Sequence, residues 1–392
     1  MVKIFFVFLR LGLTSFGGPV AHLAFFRTEF VERRQWISEK DYADLVALCQ
    51  FLPGPASSQV GLAVGYYQRS YAGALAAWFG FTLPSALLMM MFAIGVNQYQ
   101  IPAGVLQGLK LVAIAVVAQA IWAMGCSFCR SRWTLLIALG VTLTLILFPG
   151  LFVQFAVILV AAVVGLLLFM DRSTSAVTKP VKGVKDSFKA KPSAILMLLV
   201  FVGFLVAMPI LAASSGHEEI ILFDIFYRVG SSVFGGGHVV LPMLQAELTP
   251  KGIVATDQFL AGYGAAQAVP GPLFTFAAFL GSATPLIDNA WLGGLLCLVA
   301  IFLPSFLMVF ACLPYWEVLR HYSPIQSALV GINAAVVGIL AATFIKPLVL
   351  TTVSSVFDVA LVVIIFVALQ RYKLPPWLLV VAVAVFGAVF TS

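Results

Sequence analysis

Apolar runs of membrane length govern what this chain can become. They cover roughly residues 4–26, 42–64, 73–96, 104–124, 133–148 and 151–170, then 195–213, 220–244, 259–282, 290–313, 325–345, 353–369 and 377–390. That is about thirteen stretches of spanning length. Inside hydrocarbon, every backbone N–H and C=O must find its partner within the chain, and long apolar runs do so as helices. The expected fold is an all-α polytopic membrane protein. Charge agrees: 9% of the residues are charged, against roughly 25% in a soluble domain. The formal net charge of +7 is spread over short loops and one linker, so it gives no sign of nucleic acid as a partner, whereas membrane lipid is one. The first apolar run carries Arg10 and continues into a repeated motif, which argues against a cleavable signal peptide.

The chain repeats itself. Phe8-Leu-Arg-Leu-Gly-Leu-Thr-Ser-Phe-Gly-Gly18 returns as Phe226-Tyr-Arg-Val-Gly-Ser-Ser-Val-Phe-Gly-Gly236. Gln50-Phe-Leu-Pro-Gly-Pro55 returns as Gln267-Ala-Val-Pro-Gly-Pro272, Leu83-Pro-Ser85 as Leu303-Pro-Ser305, and Glu29 aligns with Glu247. Gly108-Leu-Lys110 aligns loosely with Gly331-Ile-Asn333. The expected division is a first membrane repeat at 1–170, a basic cytoplasmic linker at 171–193, an extra connecting transmembrane helix at 194–219 and a second repeat at 220–392.

The extra helix makes the number of crossings between the two motif starts odd, whether or not the motif segments themselves span. The second copy is therefore expected to enter from the opposite side, giving two inverted-topology repeats, an architecture that places substrate at the repeat interface near the midplane. Loop charge orients the molecule. The lysine-rich linker belongs in the cytoplasm, and Glu218, Glu219 and Asp224 then fall outside. Arg27, Arg33, Arg34 and Lys40 lie inside only if the Gly-Gly and Pro-Gly-Pro segments of copy one are re-entrant hairpins. Broken, re-entrant helices are expected for that reason.

The motifs favour breakage independently. Gly17-Gly18 supplies backbone freedom, and Pro19 suits the first turn of a new helix. Pro53-Gly54-Pro55 and Pro270-Gly271-Pro272 cannot stay helical, because each proline removes a donor and clashes with the preceding turn. Fresh helix N-termini inside the membrane present free N–H groups and the positive dipole end to anions. Ser57, Ser58 and Thr275 add hydroxyls nearby, and Gln50 and Gln267 precede the prolines. Arg10 and Arg228 recur with the same neighbours, and a cation placed twice in apolar sequence argues for use.

Plainer explanations stand beside these. Glycine and proline also serve helix packing and kinking. Either arginine can snorkel to the interface. Gln50 and Gln267 are equally suited to bind substrate or to satisfy the broken backbone. Glu29 and Glu247 suit a salt bridge or ion coupling, Lys110 is a weaker coupling candidate, and His22 and His238 suit helix ends better than proton carriage. Cys126 and Cys129 have metal spacing but no second pair, so neither metal nor cofactor is expected. No phosphate loop encodes ATP hydrolysis, and no His-Glu-x-x-His or paired-aspartate set supports an intramembrane enzyme.

Together the arginine–glycine motif, Gln-x-x-Pro-Gly-Pro, Leu-Pro-Ser and the duplication resemble the long-chain chromate ion transporter family, over nearly the whole chain. The resemblance implies efflux of chromate, a tetrahedral dianion shaped like sulfate, across the cytoplasmic (inner) membrane of a bacterium or archaeon. Carried over by motif are Arg10, Gly17, Gly18, Gln50, Pro53, Gly54 and Pro55, with Arg228, Gly235, Gly236, Gln267, Pro270, Gly271 and Pro272. Copy two departs from copy one at Gly237, which replaces Pro19. The expected machine is a secondary transporter driven by an ion gradient, with arginines and helix N-termini from both copies around one oxyanion. Sulfate or another oxyanion fits the same chemistry, an anion channel is the neighbouring alternative, and a homodimer is compatible.

Overall fold

The computed structural model describes residues 1–98, 102–173, 192–234, 240–315, 323–353 and 355–390. The motif residues Gly235, Gly236 and Gly237, with His238, lie outside the described residues, as does most of the basic linker. The described chain is all-helical, and six helices are long and apolar enough to cross a membrane.

The first apolar run is not one helix. It divides into α1 (Val2–Thr14) and α2 (Gly18–Arg27), which ends in a π turn over Thr28–Arg33. Gly17 and Gly18 turn the chain with φ of 101° and 78°, a region glycine enters without strain. The chain doubles back there. Phe8 on α1 meets Phe26 and Phe30 at ring separations of 5.8 and 5.0 Å. The second run divides into α3 (Glu39–Phe51), capped by Ser38, and α4 (Ala56–Gln98). Leu52, preceding a proline, is extended at ψ 149°, as proline requires of its predecessor. Here too the chain returns: Gln68, in the first third of α4, donates to the Trp36 carbonyl just before α3, at 3.3 Å. At about 1.5 Å per residue, the 13-residue α1 and α3 reach only about 20 Å. Both are arms of hairpins, each too short to cross a hydrocarbon core of about 30 Å.

α4 is itself bent. Arg69 and Ser70 leave the helical region, Ser70 with φ 56°, and the chain reverses so that Gly65 and Gly73 pack backbone to backbone. The later part of α4 is the first true span. α5 (Ala103–Phe128), α6 (Arg132–Leu147) and α7 (Leu151–Ser173) complete copy one, and α8 (Pro192–Ser215) connects the copies. Copy two repeats the plan as α9 (Glu218–Gly230), α10 (Val240–Leu248), α11 (Thr256–Ala266), α12 (Phe276–Ala283), α13 (Ala290–Cys312), α14 (Ser323–Thr343), α15 (Val356–Gln370) and α16 (Pro376–Phe390). The Gly65–Gly73 contact recurs as Gly281–Gly293, and Gly12 against the Phe81 carbonyl recurs as Gly230 against the Ile301 carbonyl.

The copies interlock with opposite sense. α7 packs antiparallel to α14, where Gly331 faces the Ala161 carbonyl and Gly165 the Ser327 carbonyl. α16 packs antiparallel to α5 through Gly387 on Gly104 and Gly108 on Val383. Short loops make α5 and α7 run the same way, so α14, the counterpart of α5, runs against it. That is an inverted repeat. The largest core cluster draws from both copies, from Met89 and Val117 to Phe226, Phe279 and Val336. Large apolar side chains remain exposed along α6 (Leu136, Leu139, Leu143, Leu147) and α8 (Leu199, Val206, Ile210). Faces this apolar belong against lipid.

Candidate functional site

The hairpin tips of the two copies meet. The Gly54 N–H donates to the Val233 carbonyl at 2.7 Å, and the Gly271 N–H donates to the Ser15 carbonyl at 3.0 Å. Ser15 and Val233 are equivalent by motif position, so this is one contact made twice across a pseudo-two-fold. The Pro-Gly-Pro tip of each copy thus pairs with the unwound segment before Gly-Gly of the other. Gly54 and Gly271 have φ of 120° and 98°. A Cβ on Gly54 would run into Ser305 Oγ and Gln59 Nε2, and one on Gly271 would come within 2.9 Å of Ser85 Oγ. The serines of the two Leu-Pro-Ser motifs therefore seat the opposite copy's tip, a role the spacing alone did not reveal. Equally, the two tip N–H groups are already spent on backbone.

Around the crossing lies buried polarity that the protein does not itself satisfy. Ser57, Ser58 and Gln59 open α4 and are all buried. Gln59 Nε2 donates to the Pro53 carbonyl at 2.6 Å, which steadies the tip. Its Oε1, Ser58 Oγ and Ser15 Oγ have no partner. His22 bridges the Ser15 carbonyl at 3.2 Å and Ser57 Oγ at 3.4 Å. It is fixed inside the crossing, not at a helix end. Thr275 Oγ1 bonds the Pro272 carbonyl at 2.8 Å, so its hydroxyl closes its own turn. Unpaired buried polar atoms cost about 1–3 kcal/mol each, and their concentration at one place marks a site that takes water or a ligand.

A cavity of about 60 Å³ opens beside the crossing, lined by Gly17, Gly18, Gln119, Gln267 and Gly271 among others. A water needs about 10–15 Å³ of such space, so it accommodates about four oxygen-sized atoms. Gln267 Nε2 is buried without a partner. Gln119, on α5, went unnoticed in sequence because it is one polar residue in an apolar run outside any motif, and Gln59 escaped for the same reason. Gln50, the counterpart of Gln267, is exposed and does not line this cavity. Pro53, Pro55, Pro270 and Pro272 are buried and shape the tips.

Neither arginine lines this cavity. Arg10 lines a larger one, of about 500 Å³, with Thr14, Thr28, Glu29 and Arg33 between the arms of the first hairpin. Among the described residues its guanidinium has no ion pair or hydrogen bond. Glu29 is taken by Arg34 at 2.6 Å and Arg33 at 3.5 Å. Arg228 is held instead by Asp224 and Glu247, and Glu247 also takes Lys251 at 2.6 Å. The aligned glutamates thus both act as salt-bridge partners. Lys110 pairs with Asp257 of the other copy at 2.7 Å. At the exposed end of the first hairpin, Arg27 bonds Glu39 at 2.7 Å and Glu32 at 2.6 Å, and chiefly the Glu39 hydrogen bond raises its pKa above the ordinary value. The cysteines are free, and no group of three metal-ligating side chains occurs among the described residues.

Comparison with known proteins agrees with this architecture. Residues 2–166 and 220–388 match the family model described as chromate transporter. The chain is 27% identical over 350 residues to an uncharacterized transporter of Methanocaldococcus jannaschii, covering 88% of this chain and 84% of that one. It is 27% identical over 362 residues to a chromate transport protein of Pseudomonas aeruginosa, covering 88% and 80%. A chromate transport protein of Cupriavidus metallidurans is 26% identical over 403 residues, covering 97% and 91%. No solved structure matches.

Proposed function

The chain belongs to the chromate transporter family, and from that premise we propose that it exports chromate from the cytoplasm across the cytoplasmic membrane of a prokaryote. One observation carries the mechanism: buried, uncommitted polar groups, Ser15 Oγ, Ser58 Oγ and Gln267 Nε2 among them, gather where the hairpin tips of inverted copies cross. A tetrahedral dianion enters past Arg10, whose planar guanidinium matches two of its oxygens. It then passes to hydroxyl and amide donors and to the uncapped first turn of α2. The interlocked copies rock about the crossing to expose it to either side. An ion gradient supplies the work. Sulfate presents the same four oxygens and the same charge, so it is a substrate of the same site.

The test is uptake of radiolabelled chromate and sulfate by proteoliposomes holding the purified protein, with and without an imposed pH gradient. Saturable, gradient-dependent flux is expected. Flux that is linear in concentration would mean a channel, and no flux of either anion would remove the proposal.

A further inference from the structure

The repeated arginine meets two different electrostatic surroundings. In copy two, Asp224 grips Arg228 with two oxygens, at 3.0 and 2.9 Å from Nε and 2.7 Å from Nη2. That is the forked geometry a guanidinium offers to any oxyanion. The Asp224 side chain is 6% exposed and that of Arg228 18%. Glu247 approaches the other nitrogen at 3.4 Å. Arg228 and Lys251 are thus matched by Asp224 and Glu247. In copy one the residue four places before Arg10 is Phe6, exposed and uncharged. Arg10 and Arg33 share their cavity with a single carboxylate, Glu29.

We propose that Asp224 is a built-in counter-anion that occupies the binding edge of Arg228, so that oxyanion capture is confined to the Arg10 side of the molecule. This rests on the oxyanion transport proposed above. The carboxylate is tethered one helical turn from its partner, and a tethered ligand competes at an effective concentration of order mM or more. A free dianion must displace it, whereas at Arg10 it displaces only water. Inversion puts the two arginines on opposite sides of the crossing, so the two sides differ in affinity, with strong capture on one and little recapture on the other, while the ion gradient sets the net direction. The repeat alone, being symmetric, provides no such bias.

The test is equilibrium binding of radiolabelled sulfate, with chromate as competitor, to the full-length protein in detergent. Wild type is expected to show no sulfate site at Arg228. Asp224→Asn keeps the shape and removes the charge, and is expected to gain a second saturable site that Asp224→Asn/Arg228→Met loses again. Asp224→Glu is expected to bind as wild type. In the reciprocal variant, Phe6→Asp places a carboxylate one turn before Arg10 and is expected to weaken sulfate binding at least about tenfold, the scale of one charge-assisted hydrogen bond. Unchanged stoichiometry in Asp224→Asn, with a monodisperse elution profile, overturns the proposal. Should that variant not fold, Phe6→Asp decides, and undiminished binding there overturns it. If wild type binds no sulfate at all, oxyanion recognition at Arg10 fails as a separate matter, and a site gained in Asp224→Asn still supports the role of Asp224.

Discussion

At the scale of single residues, motif positions divide by what the fold has already asked of them. Gly54 and Gly271 are structural at the atomic level, each pinned by a backbone bond to the other copy and by a serine where a Cβ would sit. Replacing either by alanine is expected to destabilise the protein by about 1–3 kcal/mol, since both a positive φ and a steric conflict oppose it. A lowered thermal midpoint in detergent is the readout. Ser305→Gly should return part of the loss in Gly54→Ala, the steric part, and an unshifted midpoint in the single variant would contradict the geometry. Arg10 is different, for no described residue uses its guanidinium. Arg10→Ala should leave the midpoint near wild type while lowering oxyanion flux about 10- to 100-fold, the worth of a charge-assisted hydrogen bond. Recurrence in the sequence pointed to both arginines equally. Their inequality comes from Asp224, which has no equivalent in copy one and so drops out of any motif.

At the scale of elements, the re-entrant hairpins are the central finding. Proline and glycine in the motifs implied breaks, and loop charge implied that the arms return to one side. The contacts that close the hairpins, Phe8 with Phe26 and Gln68 with Trp36, join residues that no local pattern relates. The apolar runs at 4–26 and 42–64 read as single spans because hydropathy averages over a break of three or four residues. The hairpins also tie to each other: Tyr42 donates its hydroxyl to the Leu23 carbonyl at 2.6 Å. Tyr42→Phe should cost about 0.5–1.5 kcal/mol, seen as a lower thermal midpoint. With both arms returning, the positive-inside rule predicts a cytoplasmic position for the loop carrying Arg33 and Arg34. A cysteine at Arg33 should therefore resist an impermeant maleimide added to intact cells and react in inverted vesicles. Labelling from outside would refute the assignment.

At the scale of the whole molecule, the copies are not two domains set side by side. The closing helix of each copy packs on the other copy, α7 on α14 and α16 on α5, and the largest core cluster is shared. Neither half buries its own surfaces. A chain cut within the linker, with both halves co-expressed, should regain transport, because the cross-copy contacts are non-covalent. Each half alone should be unstable and inactive. Stable expression of one half by itself would show that the interlock is dispensable. Widening a close approach tests the same point more finely: Gly331→Leu should drive α14 from α7 and abolish assembly of the split halves, because the Ala161 carbonyl fills that space.

Sequence by itself determined the helical membrane class, the duplication, the broken segments and the inverted sense of the second copy. Each follows from a property carried along the chain: hydropathy, recurrence, the backbone limits of proline and glycine, and the sidedness of charge. Tertiary structure alone decided what the motifs touch. It spent the Pro-Gly-Pro amides on the opposite copy, brought Gln119 beside Gln267, left Arg10 bare and covered Arg228. Those outcomes depend on contacts between residues hundreds of positions apart, and their energies are set by burial and by the charge placed opposite, neither of which is written in local order.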